Sequence, residues 1–324
     1  MIWKILKWSG IVILSLVVLV TIVVAMRQNL TYGAPYPDIK ASTDSAVIAR
    51  GKYLAYGPAH CANCHGKPGL EDNVEKGLEV PLSGGHLFDF EVGKFYARNI
   101  TPDKETGIGK YTDAEIARLL RYEVRPDGTA VLPFMPFHNV TDKDLTAIIS
   151  FLRSQQPVKN VVPENDPNIV GNIVKAFVLK PTGPEGTVAK SIKQDTSAAY
   201  GKYLAMSVAN CYGCHTNRDM TGAFIGEPFA GGMKMDAGDA DHYFLTPNLT
   251  PDSTGRLFGW TQDMFIKRFR KGRLYEGTHM PWGPFSRMSE DELKAIYNFL
   301  KTVKPVKNQV PVGKLNSKEE LAKQ

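Results

Sequence analysis

All four cysteines of this 324-residue chain fall in two copies of one pattern, Cys61-Ala62-Asn63-Cys64-His65 and Cys211-Tyr212-Gly213-Cys214-His215. Two thiols at this spacing can each add to one vinyl group of a haem, and the adjacent imidazole can then reach the iron. The pattern predicts two covalently attached c-type haems, held through Cys61, Cys64, Cys211 and Cys214, with His65 and His215 as proximal iron ligands. A dithiol–disulfide redox pair also uses Cys-x-x-Cys, but it explains neither histidine and expects a βαβ setting that the sequence lacks. A four-cysteine zinc site would have to join pairs 150 residues apart, far beyond ordinary zinc spacings. A disulfide inside either pair would be strained.

The sixth iron ligand separates electron carriers from catalysts. In the first copy Met135 lies in Leu132-Pro133-Phe134-Met135-Pro136-Phe137, and in the second Met280 lies in Thr278-His279-Met280-Pro281-Trp282. Rigid proline-flanked loops can hold a thioether at small entropic cost, so Met135 and Met280 are the expected distal ligands. A Met/His pair raises haem potential. The competing reading is that both methionines merely fill core gaps, and Met220, Met233, Met235, Met264 and Met288 in unit two show that a methionine alone means little. Counting back from the last helix sets Met280 against Leu132, so the two loops differ by three residues. His138 is an alternative ligand by proximity, whereas His60, His86, His242 and His279 read as surface or hydrogen-bonding side chains.

These residues sit in a duplicated frame. Gly51-Lys52-Tyr53-Leu54-Ala55 recurs at 201–205, Asn99-Ile100-Thr101-Pro102-Asp103 at 248–252 with one change, and Pro157-Val158-Lys159-Asn160 at 305–308. Three landmarks in one order, with offsets of 150, 149 and 148, indicate duplication. The units are 42–163 and 196–312, separated by a linker at 164–195 that holds a short helix near Asn172–Leu179 and followed by a polar tail at 313–324. Each unit opens with a helix around its Gly-Lys-Tyr-Leu-Ala and closes with one that starts at Thr141 or Ser289, each with an acid three residues on. Leu145, Ile148, Ile149 and Leu152, and then Leu293, Ile296, Tyr297 and Leu300, follow at helical spacing. A third helix is expected near Asp113–Tyr122 and Thr261–Arg270, and the Gly-rich segments 66–110 and 216–259 should hold little regular structure. The fold class is mainly α.

Ahead of the repeat, residues 1–30 read as a membrane anchor. Trp8–Met26 carries no charge, and as a helix it spans roughly 28 Å against a hydrocarbon core of about 30 Å. Lys4 and Lys7 keep the N-terminus inside and export the remainder. A cleaved signal peptide is the rival reading, and the length of the apolar run favours an uncleaved anchor. Residues 31–41 read as an extended tether. The formal charge of +6 falls to +4 without Lys4 and Lys7, and two haems would contribute roughly −4 through their propionates, so nucleic-acid binding has no support. Lys267, Arg268, Arg270, Lys271 and Arg273, with the thinner set Arg118, Arg121 and Arg125, read first as solvated helix faces and second as docking or propionate-pairing groups.

The Cys-x-x-Cys-His motifs and the Met-Pro-aromatic loops resemble those of class I cytochrome c domains. The Asn-Ile-Thr-Pro-Asp segment and the Thr106-Gly107-Ile108-Gly109 that follows resemble the multihaem cytochrome c subunits of membrane-bound alcohol, aldehyde and gluconate dehydrogenases. The resemblance implies two tandem cytochrome c domains with the cysteine, histidine and methionine roles given above. It also implies that Gly51 and Gly201 let the first helix cross close to Phe151 and Phe299. Those subunits usually carry three domains and often end in a membrane-associating segment; here there are two domains and an N-terminal anchor. The expected function is a diheme carrier on the periplasmic side of the cytoplasmic membrane. It would pass single electrons from a respiratory dehydrogenase or quinol-oxidising complex to an oxidase, a soluble cytochrome or a cupredoxin. A diheme peroxidase or thiosulfate-oxidising enzyme is the competing class.

Overall fold

The computed structural model describes residues 2–135, 137–219, 222–239 and 241–316. Pro136, Met220 and the tail beyond 316 lie outside the described residues. Helix α1, Ile2–Arg27, is long and apolar enough to cross a membrane and buries none of its residues.

Unit one follows. Residues 31–41 do not swing free as a tether. Tyr32 donates its backbone N–H to Gly128 at 2.8 Å, Arg118 reaches the Tyr32 carbonyl at 3.1 Å, and Ile39 is buried in the core. Helix α2, Ser45–Tyr56, starts at Asp44, whose carboxylate accepts from the Ala46 and Val47 amides and satisfies two otherwise orphaned donors. Then come α3, Cys61–His65; α4, Glu71–Glu75; the hairpin β1, Leu87–Phe90, and β2, Gly93–Tyr96; and α5, Asp113–Tyr122, entered through a Thr112/Glu115 capping box. Helix α6, Asp142–Ser154, buries Leu145, Ile148, Ile149 and Leu152, the residues whose spacing predicted its inner face.

The linker holds β3, Asp166–Pro167, and α7, Ile169–Phe177. Unit two repeats the plan. Helix α8, Ala198–Tyr203, widens into a π-turn over Leu204–Val208 and is followed by α9, Cys211–His215. Next are β4, Lys234–Asp236; β5, His242–Leu245; α10, Gln262–Arg270; α11, Trp282–Ser286; α12, Glu290–Leu300; and β6, Leu315–Asn316. The Gly-rich segments therefore carry an antiparallel hairpin each. Each hairpin gains a third strand from beyond the expected unit boundary, β3 on β2 and β6 on β5. Short strands rich in turn residues carry too little alternation to be read from pattern alone.

The opening and closing helices of each unit cross at a glycine. A Cβ on Gly51 would stand 1.8 Å from the Ala147 carbonyl oxygen and 2.8 Å from the Phe151 Cβ. On Gly201 it would stand 1.9 Å from the Ala295 oxygen. The crossing is thus set by backbone on backbone, one turn before Phe299 in unit two.

The two units share one core and meet through a pseudo-twofold polar lock. Tyr53 of unit one donates to Glu292 of unit two, and Tyr203 of unit two donates to Asp144 of unit one at 2.8 Å. Each phenol oxygen also accepts the amide that opens the facing helix, Ser289 at 2.9 Å and Thr141 at 3.3 Å. Arg50 joins the halves, 3.0 Å from Asp144 and 3.4 Å from Glu292, and Tyr200 donates to Glu292 at 3.1 Å. Burial beside these carboxylates drives the phenol pKa values of Tyr53, Tyr200 and Tyr203 upward, so the tyrosines remain donors.

The basic sets differ from a solvated face. Arg118 and Arg121 are buried, Arg121 against Asp142 at 2.6 Å, because the carbonyls of Tyr32, Arg125 and Val140 supply acceptors inside the fold. In unit two Arg268 lies 3.4 Å from the Trp282 ring centre and Arg273 pairs with Glu75 at 2.8 Å, whereas Lys267, Arg270 and Lys271 face solvent.

Gly51→Ala should lower stability by about 3 kcal/mol, since the methyl has a carbonyl in its place, while Gly33→Ala, with open space around it, should be neutral. Thermal unfolding of the two variants followed by circular dichroism checks this.

Candidate haem-attachment sites

Each Cys-x-x-Cys-His helix is a single turn reached through a left-handed residue, His60 with φ 39° and Asn210 with φ 52°. The preceding helix closes with the same bond in both units: Ala59 donates to the Leu54 carbonyl at 2.9 Å and Ala209 to the Leu204 carbonyl at 2.8 Å. This turns the chain so that both cysteines and the histidine share one short helix.

The histidine is then fixed from behind. His65 Nδ1 is 2.7 Å from the Arg98 carbonyl oxygen, and His215 Nδ1 is 3.0 Å from that of Pro247. A carbonyl can only accept, so Nδ1 carries the proton and Nε2 is left with its lone pair, the form an iron ligand needs. Burial holds both imidazole pKa values below the usual histidine range, which keeps the rings neutral.

What positions those carbonyls is the repeated Asn-x-Thr-Pro-Asp. Arg98 precedes Asn99 and Pro247 precedes Asn248. Asn99 Oδ1 accepts from the Thr101 amide at 3.0 Å and hydroxyl at 2.7 Å, and its Nδ2 donates to the Val158 carbonyl at 2.8 Å. Asn248 repeats this with Thr250, at 2.9 and 2.8 Å, and with Val306 at 2.9 Å. Asn160 and Asn308, from the third landmark, reach back to the Ser83 and Ala230 carbonyls at 2.9 and 2.8 Å. Gly84 and Gly231 donate to the His65 and His215 carbonyls, each at 2.8 Å. The second and third landmarks of the repeat therefore form one hydrogen-bonded cradle behind the histidine.

Cys61, Cys64, Cys211 and Cys214 are unpaired, half-buried thiols. Burial pushes Cys61 and Cys211 up to about 12 and Cys64 to about 11, with Cys214 shifted the same way. Such surroundings disfavour a thiolate and suit a neutral thioether. Among the described residues no three His, Cys, Asp or Glu side chains gather as a metal cluster, so the four-cysteine zinc alternative has no site. The donor set fits two covalent haems.

Met135 and Met280 are both half-buried against the core. The Met135 carbonyl accepts the Phe137 amide, and the Met280 carbonyl accepts the Trp282 amide, each at 2.8 Å. Leu132 makes the same turn, its carbonyl accepting the Phe134 amide at 2.8 Å, so the turn is common to Met280, Met135 and the Leu132 that counting back from the last helix sets against Met280. The rival histidines are engaged elsewhere: His138 Nε2 lies 3.1 Å from Glu123, His279 faces the Asp236 carbonyl at 2.9 Å, and His242 Nδ1 lies 2.7 Å from Asp239. His60 bonds the Pro58 carbonyl at 3.1 Å and packs edge-on to Phe285, and His86 packs edge-on to Phe88. Tyr111 and Trp260 serve the frame, their carbonyls accepting from Arg153 and Tyr297.

A family model described as cytochrome c matches residues 48–156, and one described as cytochrome c oxidase, cbb3-type, subunit III matches residues 197–300. The chain carries two tandem cytochrome c domains. It is 31% identical over 297 residues to an alcohol dehydrogenase (quinone) cytochrome c subunit of Gluconobacter oxydans, covering 84% of this chain and 57% of that one. To the gluconate 2-dehydrogenase cytochrome c subunit of Pantoea cypripedii it is 27% identical, covering 80% and 60%. To a diheme cytochrome c-type protein of Cereibacter sphaeroides it is 27% identical over 201 residues, covering 59% and 63%. This cytochrome spans about three fifths of the length of the three relatives named here. Its two domains carry two covalently bound c-type haems, and relatives among those it matches are cytochrome subunits of dehydrogenases.

The cradle asparagines and the Arg98 and Pro247 carbonyls were not singled out from sequence as functional; their signal was the identity of the repeated segment itself. Met135→Ala and Met280→Ala should each change the spectrum of one haem, from six-coordinate to five-coordinate or water-ligated, and lower its potential. A spectroscopic redox titration of both variants beside the parent measures this.

Proposed function

We propose that this cytochrome is a membrane-tethered diheme carrier that passes single electrons from a respiratory dehydrogenase or quinol-oxidising complex to an oxidase, soluble cytochrome or cupredoxin. In this reading α1 anchors it in the cytoplasmic membrane and residues 31–41 connect the anchor to the first domain. Residues 42–163 and 196–312 are the two haem domains on the periplasmic face, 164–195 the linker and 313–324 the tail. Cys61, Cys64, Cys211 and Cys214 form the thioether links, and His65 with Met135 and His215 with Met280 bind the two irons.

The observation that carries the reading is the twice-built cradle, in which a neutral imidazole is held by a backbone carbonyl and a methionine on a proline-flanked turn lies in the same unit. Each haem, when bound, supplies an iron that cycles between two oxidation states. The chain's own part is to keep that change cheap. Nδ1 stays bonded to a carbonyl that cannot take its proton, the core excludes water, and the polar lock holds the two domains in one fixed relation. The relatives named for alcohol and gluconate dehydrogenases support a dehydrogenase as donor.

The purified full-length protein, reduced and mixed with an oxidised soluble cytochrome c, should release two electrons per chain in a stopped-flow experiment. It should show no turnover with peroxide or thiosulfate. Robust turnover of either would replace the carrier with an enzyme.

A further inference from the structure

The linker helix α7 leaves its apolar side uncovered. Asn168 caps it by accepting from the Gly171 amide at 3.0 Å, and Gly171 and Ala176 form its buried side. Gly171 sits so close to the turn of the first hairpin that a Cβ there would stand 2.0 Å from the Val92 carbonyl. Opposite lie Ile169, Val170, Ile173 and Phe177, at 81, 54, 39 and 48% exposure, with Val178 just beyond at 45%. Side chains of this size gain by leaving water, so a run of them left open marks a contact surface.

The helix is tied to the point where α1 ends. Arg27, the last residue of α1, donates to the Ala176 carbonyl at 3.2 Å and lies 5.4 Å from the Phe177 ring centre. Lys175 donates to Asn29 at 3.3 Å, and Tyr32 donates to the Leu179 carbonyl at 3.1 Å. Along α1 only Val23 and Val24, near this end, are partly covered; Ile2–Ile22 is fully open. If α1 spans the bilayer, Arg27 lies at headgroup depth, and α7 beside it shares that depth. Arg27, Lys175 and Lys180 add the positive charge that anionic headgroups attract.

We propose that α7 is an interfacial membrane helix, whose Ile169, Val170, Ile173, Phe177 and Val178 enter the phospholipid leaflet beside the end of α1. This rests on the reading of α1 as an anchor. The lipid surface is chosen over a protein partner because the exposed Phe177 end of α7 packs beside the end of α1, whose own apolar side chains are open. The consequence is orientation. With the 31–41 segment packed on unit one and α7 in the headgroups, the haem domains are held against the membrane at one attitude and are not free to swing.

The test places the full-length haem protein in nanodiscs of phosphatidylcholine and phosphatidylglycerol doped with a diazirine-bearing phosphatidylcholine. After irradiation, adducts are mapped by peptide mass spectrometry. The expected result is labelling of residues 169–178 at least tenfold above the peptide containing Phe258, an exposed aromatic residue of unit two. Labelling of α1 with 169–178 at the Phe258 level overturns the proposal and keeps the anchor. Labelling of 169–178 without α1 keeps the interfacial helix and refutes the anchor, and labelling of neither refutes both.

Discussion

The bond between an imidazole Nδ1 and a backbone carbonyl is the constraint on which the rest of each unit depends. It decides which ring nitrogen is free, where that nitrogen points, and that the ring stays neutral. Because the acceptor is a main-chain oxygen, its position cannot be set by a rotamer and has to be set by the fold. The cradle of Asn99, Thr101 and Asn160, and its copy of Asn248, Thr250 and Asn308, does this by cross-linking three stretches of chain far apart in sequence. Buried amides and hydroxyls are costly when unpaired, so a network this complete has essentially one arrangement.

Duplication gave the molecule a second such unit, and the lock between them uses the same residues twice. The tyrosine of each Gly-Lys-Tyr-Leu-Ala reaches the acid at the third position of the other unit's closing helix. That acid therefore faces the helix N-terminus of its own unit and a phenol of its neighbour. Arg50 breaks the symmetry, since Tyr200 stands at the equivalent place, and one guanidinium thereby balances two buried carboxylates. Removing one partner of so buried a set costs about 3–5 kcal/mol, which makes the relation between the domains stiff. A fixed separation is what two cofactors exchanging electrons require.

Much of this was legible in the sequence. The cysteine and histidine spacing named the chemistry, the offsets of 150, 149 and 148 located the second unit, and helical spacing placed α6 and α12 because their apolar faces repeat every three to four residues. The hairpins were not legible, since four-residue strands amid glycines carry almost no periodic signal. Nor was the packing of residues 31–41, because Tyr32 and Ile39 are held by Gly128, Arg118 and the core, partners that pattern does not reveal. The burial of Arg118 and Arg121 was hidden for the same reason: a charged residue reads as exposed until its carbonyl acceptors are seen.

The central claim is that each half of the chain holds its own haem through two thioethers. Intact-mass spectrometry of the full-length protein, made in a host with c-type maturation, measures it directly beside Cys61→Ser/Cys64→Ser and Cys211→Ser/Cys214→Ser variants. The account predicts a mass increase of two haems for the parent and of one for each variant. Unmodified thiols, or a single adduct on the parent, would contradict it.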